Sequence, residues 1–157
     1  MPERLVAHDV FSFLRPEQVN AISERAERVR FPAGAIVYER GEKPDYLYAV
    51  LDGQVTLHLP GAGGFSIVID QLGPGDMFGS CMCFQRNAYA LTAQCARDCE
   101  LLKIEAAALK ELMDRDLRMG YALQTRISAI YFGRYIETMQ KLQAVTMSLP
   151  MEYTPSA

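Results

Sequence analysis

The spacing of apolar positions changes twice along this chain and divides it into three parts. In the first part Val19, Ile22, Ala26 and Val29 recur at helical spacing, and Pro16 stands where a first helical turn tolerates a missing N–H. An amphipathic helix is expected over residues 16–28. Between Phe31 and Ile104 the pattern turns to brief β-rich runs at 35–38, 46–51, 55–59, 65–69, 89–96 and 99–104. Turn chemistry separates them, as in Pro32-Ala33-Gly34, Asp52-Gly53 and Gly73-Pro74-Gly75-Asp76. Short strands with turns about every 8–12 residues indicate a sandwich, jelly roll or barrel. Strand alternation places Val55, Leu57 and Leu59 on one face and Thr56 and His58 on the other. It likewise sets Phe65, Ile67 and Ile69 against Ser66, Val68 and Asp70, and His58 is expected to face solvent.

After Ile104 the helical period returns. Residues 105–114 predict a short helix and residues 117–146 a long one without internal proline. The long helix carries an apolar stripe of Leu123, Ile127, Tyr131, Tyr135, Met139, Leu142 and Thr146, which approximates a heptad seam. A helix of about 30 residues spans roughly 45 Å, more than a domain of this size covers. Part of the stripe must meet a partner, and a second copy is the economical one because two-fold assembly is the commonest. A homodimer is therefore expected, with Leu123, Ile127, Tyr131, Tyr135, Met139 and Leu142 at its interface. Residues 1–147 form one domain in this reading, and residues 148–157, with Pro150 and Pro155, a disordered tail.

Composition narrows the function classes. The chain has 157 residues with 16 Lys plus Arg against 19 Asp plus Glu, a net charge of −3. Such a surface matches a polyanion poorly, so direct DNA binding is not expected. The N-terminus lacks the apolar segment of a secretory signal, and no apolar run approaches the ~18 residues of a membrane span. A cytoplasmic, membrane-free location follows. Two histidines, His8 and His58, cannot build the metal centre of an enzymatic jelly roll, and no nucleophile–base motif stands out, so the protein reads as a non-enzyme. Cys81, Cys83, Cys95 and Cys99 lie close in sequence. However, Cys81 and Cys83 diverge by about 200° on a helical turn, and Cys95 and Cys99 belong to different strands. Reduced, buried, apolar thiols are expected, with no metal.

The candidate chemistry lies in residues 73–84. Gly75 and Gly79 permit close backbone approach, and free N–H groups at the start of the following helical turn make an anion cradle. Helix, glycine-punctuated roll, short inner helix, two strands and a long helix together resemble the cyclic-nucleotide-binding domain family, in particular the sensor half of Crp/Fnr-type bacterial regulators. The family glycines fall on Gly34, Gly41, Gly53, Gly75 and Gly79. The resemblance implies a mainly β, jelly-roll (double-stranded β-helix) fold with flanking helices. It also implies a regulatory, signal-transducing role and a ligand site around Met77, Phe78, Gly79, Ser80, Cys81, Tyr89 and Ala90.

The same resemblance implies a Glu after the second cassette glycine for the ribose hydroxyl, and an Arg some ten positions on for the cyclic phosphate. Here those positions hold Ser80 and Tyr89, with Ala90 following. Hydrogen bonds to charged groups are worth about 1.5–3 kcal/mol each, so losing both costs two to four powers of ten in affinity. Arg86 and Arg134 are the candidate replacements, and Tyr89 itself suggests a pocket filled by its own side chain. Three readings follow. The first is a sensor of a cyclic nucleotide or other small anion, degenerate for cAMP and cGMP. The second is a thiol or metal redox sensor using the cassette cysteines. The third is a ligand-free dimeric interaction module. Crp/Fnr regulators continue into a helix-turn-helix domain, whereas only a short tail follows Thr146, so output through a partner protein is expected.

Overall fold

In the computed structural model, which describes residues 6–147, the chain runs through α1 (Ala7–Val10), α2 (Pro16–Arg25), eight strands, α3 (Ala106–Arg115) and α4 (Leu117–Met147). The strands are β1 (Ala26–Phe31), β2 (Ile36–Tyr38), β3 (Tyr46–Asp52), β4 (Val55–Pro60), β5 (Ser66–Leu72), β6 (Met77–Phe78), β7 (Thr92–Cys95) and β8 (Cys99–Glu105). They form two antiparallel four-stranded sheets, ordered β1-β8-β3-β6 and β2-β7-β4-β5. This is the expected jelly roll. The N-terminal helix is shorter than the 16–28 expected, because residues from Ala26 on pair with β8, Val29 lying opposite Leu101. The expected tail at 148–157 lies outside the described residues, as do the side chains of His8 and Cys81.

The period-two pattern of β3 and β8 builds two cores at once. Leu47, Ala49, Leu51, Leu102 and Ile104 point toward the helices and pack with Phe11, Ile22, Leu109 and Met119. Tyr48, Val50, Cys99 and Leu101 point into the roll and meet Tyr38, Val55, Leu57, Phe78 and Tyr89. The two-residue strand β6 divides the same way, with Met77 on the helix side and Phe78 inside the roll. Burying both faces of β3 and β8 makes this sheet the spine of the domain.

Not every apolar position is buried. Phe65 (80 % exposed) and Ile67 (62 %) leave the β5 alternation without a core partner, at the turn end of the β4–β5 hairpin on the sheet's edge strand. His58 lies half-buried on the outer face of that sheet.

In α4 the stripe divides. Leu123 (0 % exposed) and Ile127 (1 %) are buried in the protomer's own core, so they do not belong to an interface as expected. Tyr131 also packs partly on that core. Arg134 still reaches Asp70 on β5, and beyond it every residue from 135 to 145 is exposed.

Candidate functional site

The cassette begins with a tight turn clamped to β3. Gly75 donates to the Val50 carbonyl (2.8 Å), Val50 donates to the Asp76 carbonyl (2.9 Å), and the Asp76 carboxylate accepts from the Gly73 N–H (2.9 Å). Gly79 then adopts φ +81, and a Cβ there would stand 3.1 Å from the Tyr46 carbonyl and 3.4 Å from the Tyr89 ring. Glycine is needed both for the left-handed backbone and for the approach of these two tyrosines. A single 3₁₀ turn, Cys81–Phe84, follows.

Tyr89 occupies the position where the resemblance implies an arginine, and it is tied down at every polar atom. Its N–H donates to the Glu42 carbonyl (2.9 Å) and its carbonyl accepts from Gly41 (2.9 Å). Its hydroxyl donates to the Tyr46 carbonyl (2.6 Å) and accepts from the Tyr46 N–H (3.2 Å). The ring stacks on Tyr38 at a centroid distance of 3.6 Å, and Tyr48 stacks on Phe78 at 5.3 Å. The roll interior is thus an aromatic cluster. Burial, with smaller contributions from Tyr46 and Glu42, pushes the Tyr48 hydroxyl up to about 12. An environment that disfavours a phenolate also disfavours an unpaired phosphate.

The remaining predicted site residues scatter. Ser80 is buried and its hydroxyl donates to the Tyr131 hydroxyl of α4 (3.2 Å), while Phe84 meets the Tyr131 ring edge-on at 4.9 Å. These contacts dock the cassette on the long helix. Met77, expected at the site, lies on the opposite side of β6 because adjacent strand residues face opposite ways. Ala90 and Arg86 are exposed. Arg134 does not reach for an anion in the roll: its Nε donates to Asp70 on β5 (3.0 Å), and its guanidinium sits 5.0 Å from the Tyr131 ring centre. The sequence reading missed Tyr38, Tyr46 and Tyr131 as partners of the cassette. The tyrosine-rich runs around β2 and β3 were the available signal.

The cysteines are placed differently from expectation in one respect. Cys95 and Cys99 lie on different strands, yet both thiols are buried in the same core, where Cys99 donates to the Gln54 carbonyl (3.2 Å). Burial, followed by the neighbouring Cys99 thiol, pushes the Cys95 thiol up to about 12. The nucleophile in thiol chemistry is the thiolate, which such a site suppresses. Among the described residues no group of three or more His, Cys, Asp and Glu converges as a metal site, and no helix is long and apolar enough to cross a membrane.

Removing the Tyr89 hydroxyl tests how firmly the interior is stitched. Tyr89→Phe leaves the Tyr46 carbonyl and N–H without that partner, at a cost of about 1–3 kcal/mol. A calorimetric melting temperature should fall by roughly 2–10 °C, and an unchanged value would show the bonds to be dispensable.

Two flanking antiparallel sheets, a glycine-bounded cassette and a long docking helix define a sensor-type jelly roll. The family profile for the cyclic nucleotide-binding domain matches residues 28–116, and the chain belongs to that family. It is 26 % identical over 110 residues to the CRP-like cAMP-activated global transcriptional regulator of Mycobacterium tuberculosis, covering 70 % of this chain and 49 % of the relative. The chain therefore spans about half the length of such relatives. The structure of the Thermus thermophilus catabolite activator protein is similar at a TM-score of 0.71 and 25 % identity, covering 88 % of this chain and 63 % of that one. The sensor domain of the transcriptional regulator DNR from Pseudomonas aeruginosa has the same fold, at a TM-score of 0.68 and 22 % identity, covering 83 % and 88 %.

Proposed function

We propose that this domain is a dimeric, cytoplasmic regulatory module whose roll interior is closed to cyclic nucleotides and whose output passes through α4 to a partner protein. The observation that carries this reading is Tyr89: stacked on Tyr38 and bonded to Tyr46, it stands where the family's phosphate-binding arginine is implied. Admitting a nucleotide requires breaking those bonds and unstacking the rings, and the largely buried Arg134 of α4 is already committed to Asp70. The absence of the ribose-binding Glu at Ser80 removes the second anchor. Coupling between cassette and helix is retained through Ser80, Phe84 and Tyr131, so a change at the cassette is felt by α4.

The reading is non-catalytic, in keeping with a family defined by ligand sensing. It also favours structural over redox cysteines, because the raised Cys95 thiol is a poor nucleophile at neutral pH.

Isothermal titration with cAMP and with cGMP tests it. No saturable heat is expected up to millimolar ligand; micromolar binding of either nucleotide overturns the reading.

A further inference from the structure

A separate cavity of about 420 Å³ opens outside the roll, between the loop after the cassette, α3 and the first turns of α4. It takes Gly79, Ser80 and Cys83 from the cassette and Gln85, Arg86 and Asn87 from the loop that follows, but none of the four aromatic rings of the interior lines it. Its floor is apolar. Leu47 and Leu109 are each 2 % exposed, and Met113 packs on the same core.

Its walls also carry two cations, Arg86 from the loop and Lys110 from α3, and one carboxylate, Asp114. Among the described residues no carboxylate stands within salt-bridge distance of Arg86 or Lys110, Asp114 included. A concavity of this size, with an apolar floor and polar walls that also include Ser80, Gln85, Asn87 and Gln124, has the make-up of a site for an amphipathic small molecule, and its excess charge is positive.

The loop that brings Arg86 to this cavity is held in place. The Gln124 side chain of α4 donates to the Cys83 carbonyl (3.2 Å). Gln85, next to Arg86, holds φ +58, the one positive φ of a non-glycine residue among those described. A left-handed non-glycine residue is strained and persists only where its surroundings impose it. A fixed loop presents its arginine at less entropic cost than a free one.

We propose that this cavity binds a small organic anion, its phosphate or carboxylate taken by Arg86 and Lys110 and its apolar body lying on Leu47, Leu109 and Met113. The site goes beyond the functional reading above, which concerns the roll interior alone. A ligand here bridges the cassette loop to the root of α4 and gives a sealed roll a second way to bias the long helix.

Titration of the ¹⁵N-labelled chain with phenyl phosphate, followed by amide chemical shifts, tests the site. Saturable one-to-one shifts are expected at residues 83–87 and 106–114. Inorganic phosphate, which lacks the apolar body, and benzyl alcohol, which lacks the charge, should each bind at least about tenfold more weakly. Arg86→Gln and Lys110→Gln should each weaken phenyl phosphate by about tenfold or more, and Arg86→Lys and Lys110→Arg should keep most of the affinity. Absence of saturable shifts, or binding indifferent to both glutamine variants, overturns the proposal and leaves the sealed roll standing. Shifts confined to residues 38–48 and 89 overturn the proposal and the sealed roll together.

Discussion

Gly53→Ala is expected to lower the melting temperature by roughly 5–15 °C, the largest loss from adding a single methyl group to this chain. Gly53 closes the β3–β4 hairpin at φ +100, where a side chain is strained before any contact is counted. A Cβ at that position would then stand 2.5 Å from the Asp98 carbonyl oxygen and 2.7 Å from Cys99 Sγ. Neither neighbour can retreat easily. Asp98 also accepts from the Ala33 N–H (2.8 Å), and the Cys99 thiol donates to the Gln54 carbonyl (3.2 Å) inside the roll. A positive φ costs about 1–2 kcal/mol and overpacking a further 1–3. Gly34→Ala separates the two contributions, because Gly34 has φ +87 but nothing within 4 Å of its would-be Cβ. Circular-dichroism melts should show Gly34→Ala losing only the conformational part. Equal losses in the two variants would show that the contact with β8 costs nothing.

How far the sequence reveals this protein depends on where the deciding contact lies. The alternation of β3 and β8, the hairpin glycines and the unbroken helical run of α4 are local signals, and they are legible. The strand at Ala26–Phe31 is not, since Ala26 and Val29 fit the end of a helix equally well and only pairing with β8 across the fold decides between them. The α4 stripe shows the same limit. A pattern of apolar residues marks a face without saying what covers it, and Leu123 and Ile127 are covered by the protomer itself. At the site, the absence of the implied Glu and Arg is legible by position. The seal formed by Tyr89, Tyr38 and Tyr46 is not, because it joins residues about 40 to 50 positions apart through loops that follow no period.

The free end of α4 carries the second large effect: Tyr135→Glu is expected to convert a dimer into a monomer. Once Tyr131 turns back to the cassette, the exposed apolar residues of the free end include, beside Ile136 and Val145, Phe132 (63 %), Tyr135 (58 %), Met139 (50 %) and Leu142 (63 %). Their steps of three, four and three form a tighter heptad seam than the steps of four that run through Tyr131, with Phe132 taking its place. Fully burying one such side chain contributes about 1.5–3 kcal/mol, and two-fold symmetry counts each position twice. These side chains are already about half covered, so the sum is of the same order as the cost of association, about 4 to 15 kcal/mol. A glutamate at residue 135 reverses the balance, because symmetry sets two carboxylates in the seam and each must be desolvated or repelled. Dissociation should tighten or weaken with the seam alone, so the dimer constant should rise more than about a thousandfold for Tyr135→Glu. Leu123→Ala, in contrast, should destabilise the fold without splitting the pair. Sedimentation equilibrium over the micromolar range reads both. A parent chain that sediments as a monomer throughout, or a Tyr135→Glu variant that remains dimeric, would remove α4 as the assembly surface and with it the route proposed for output.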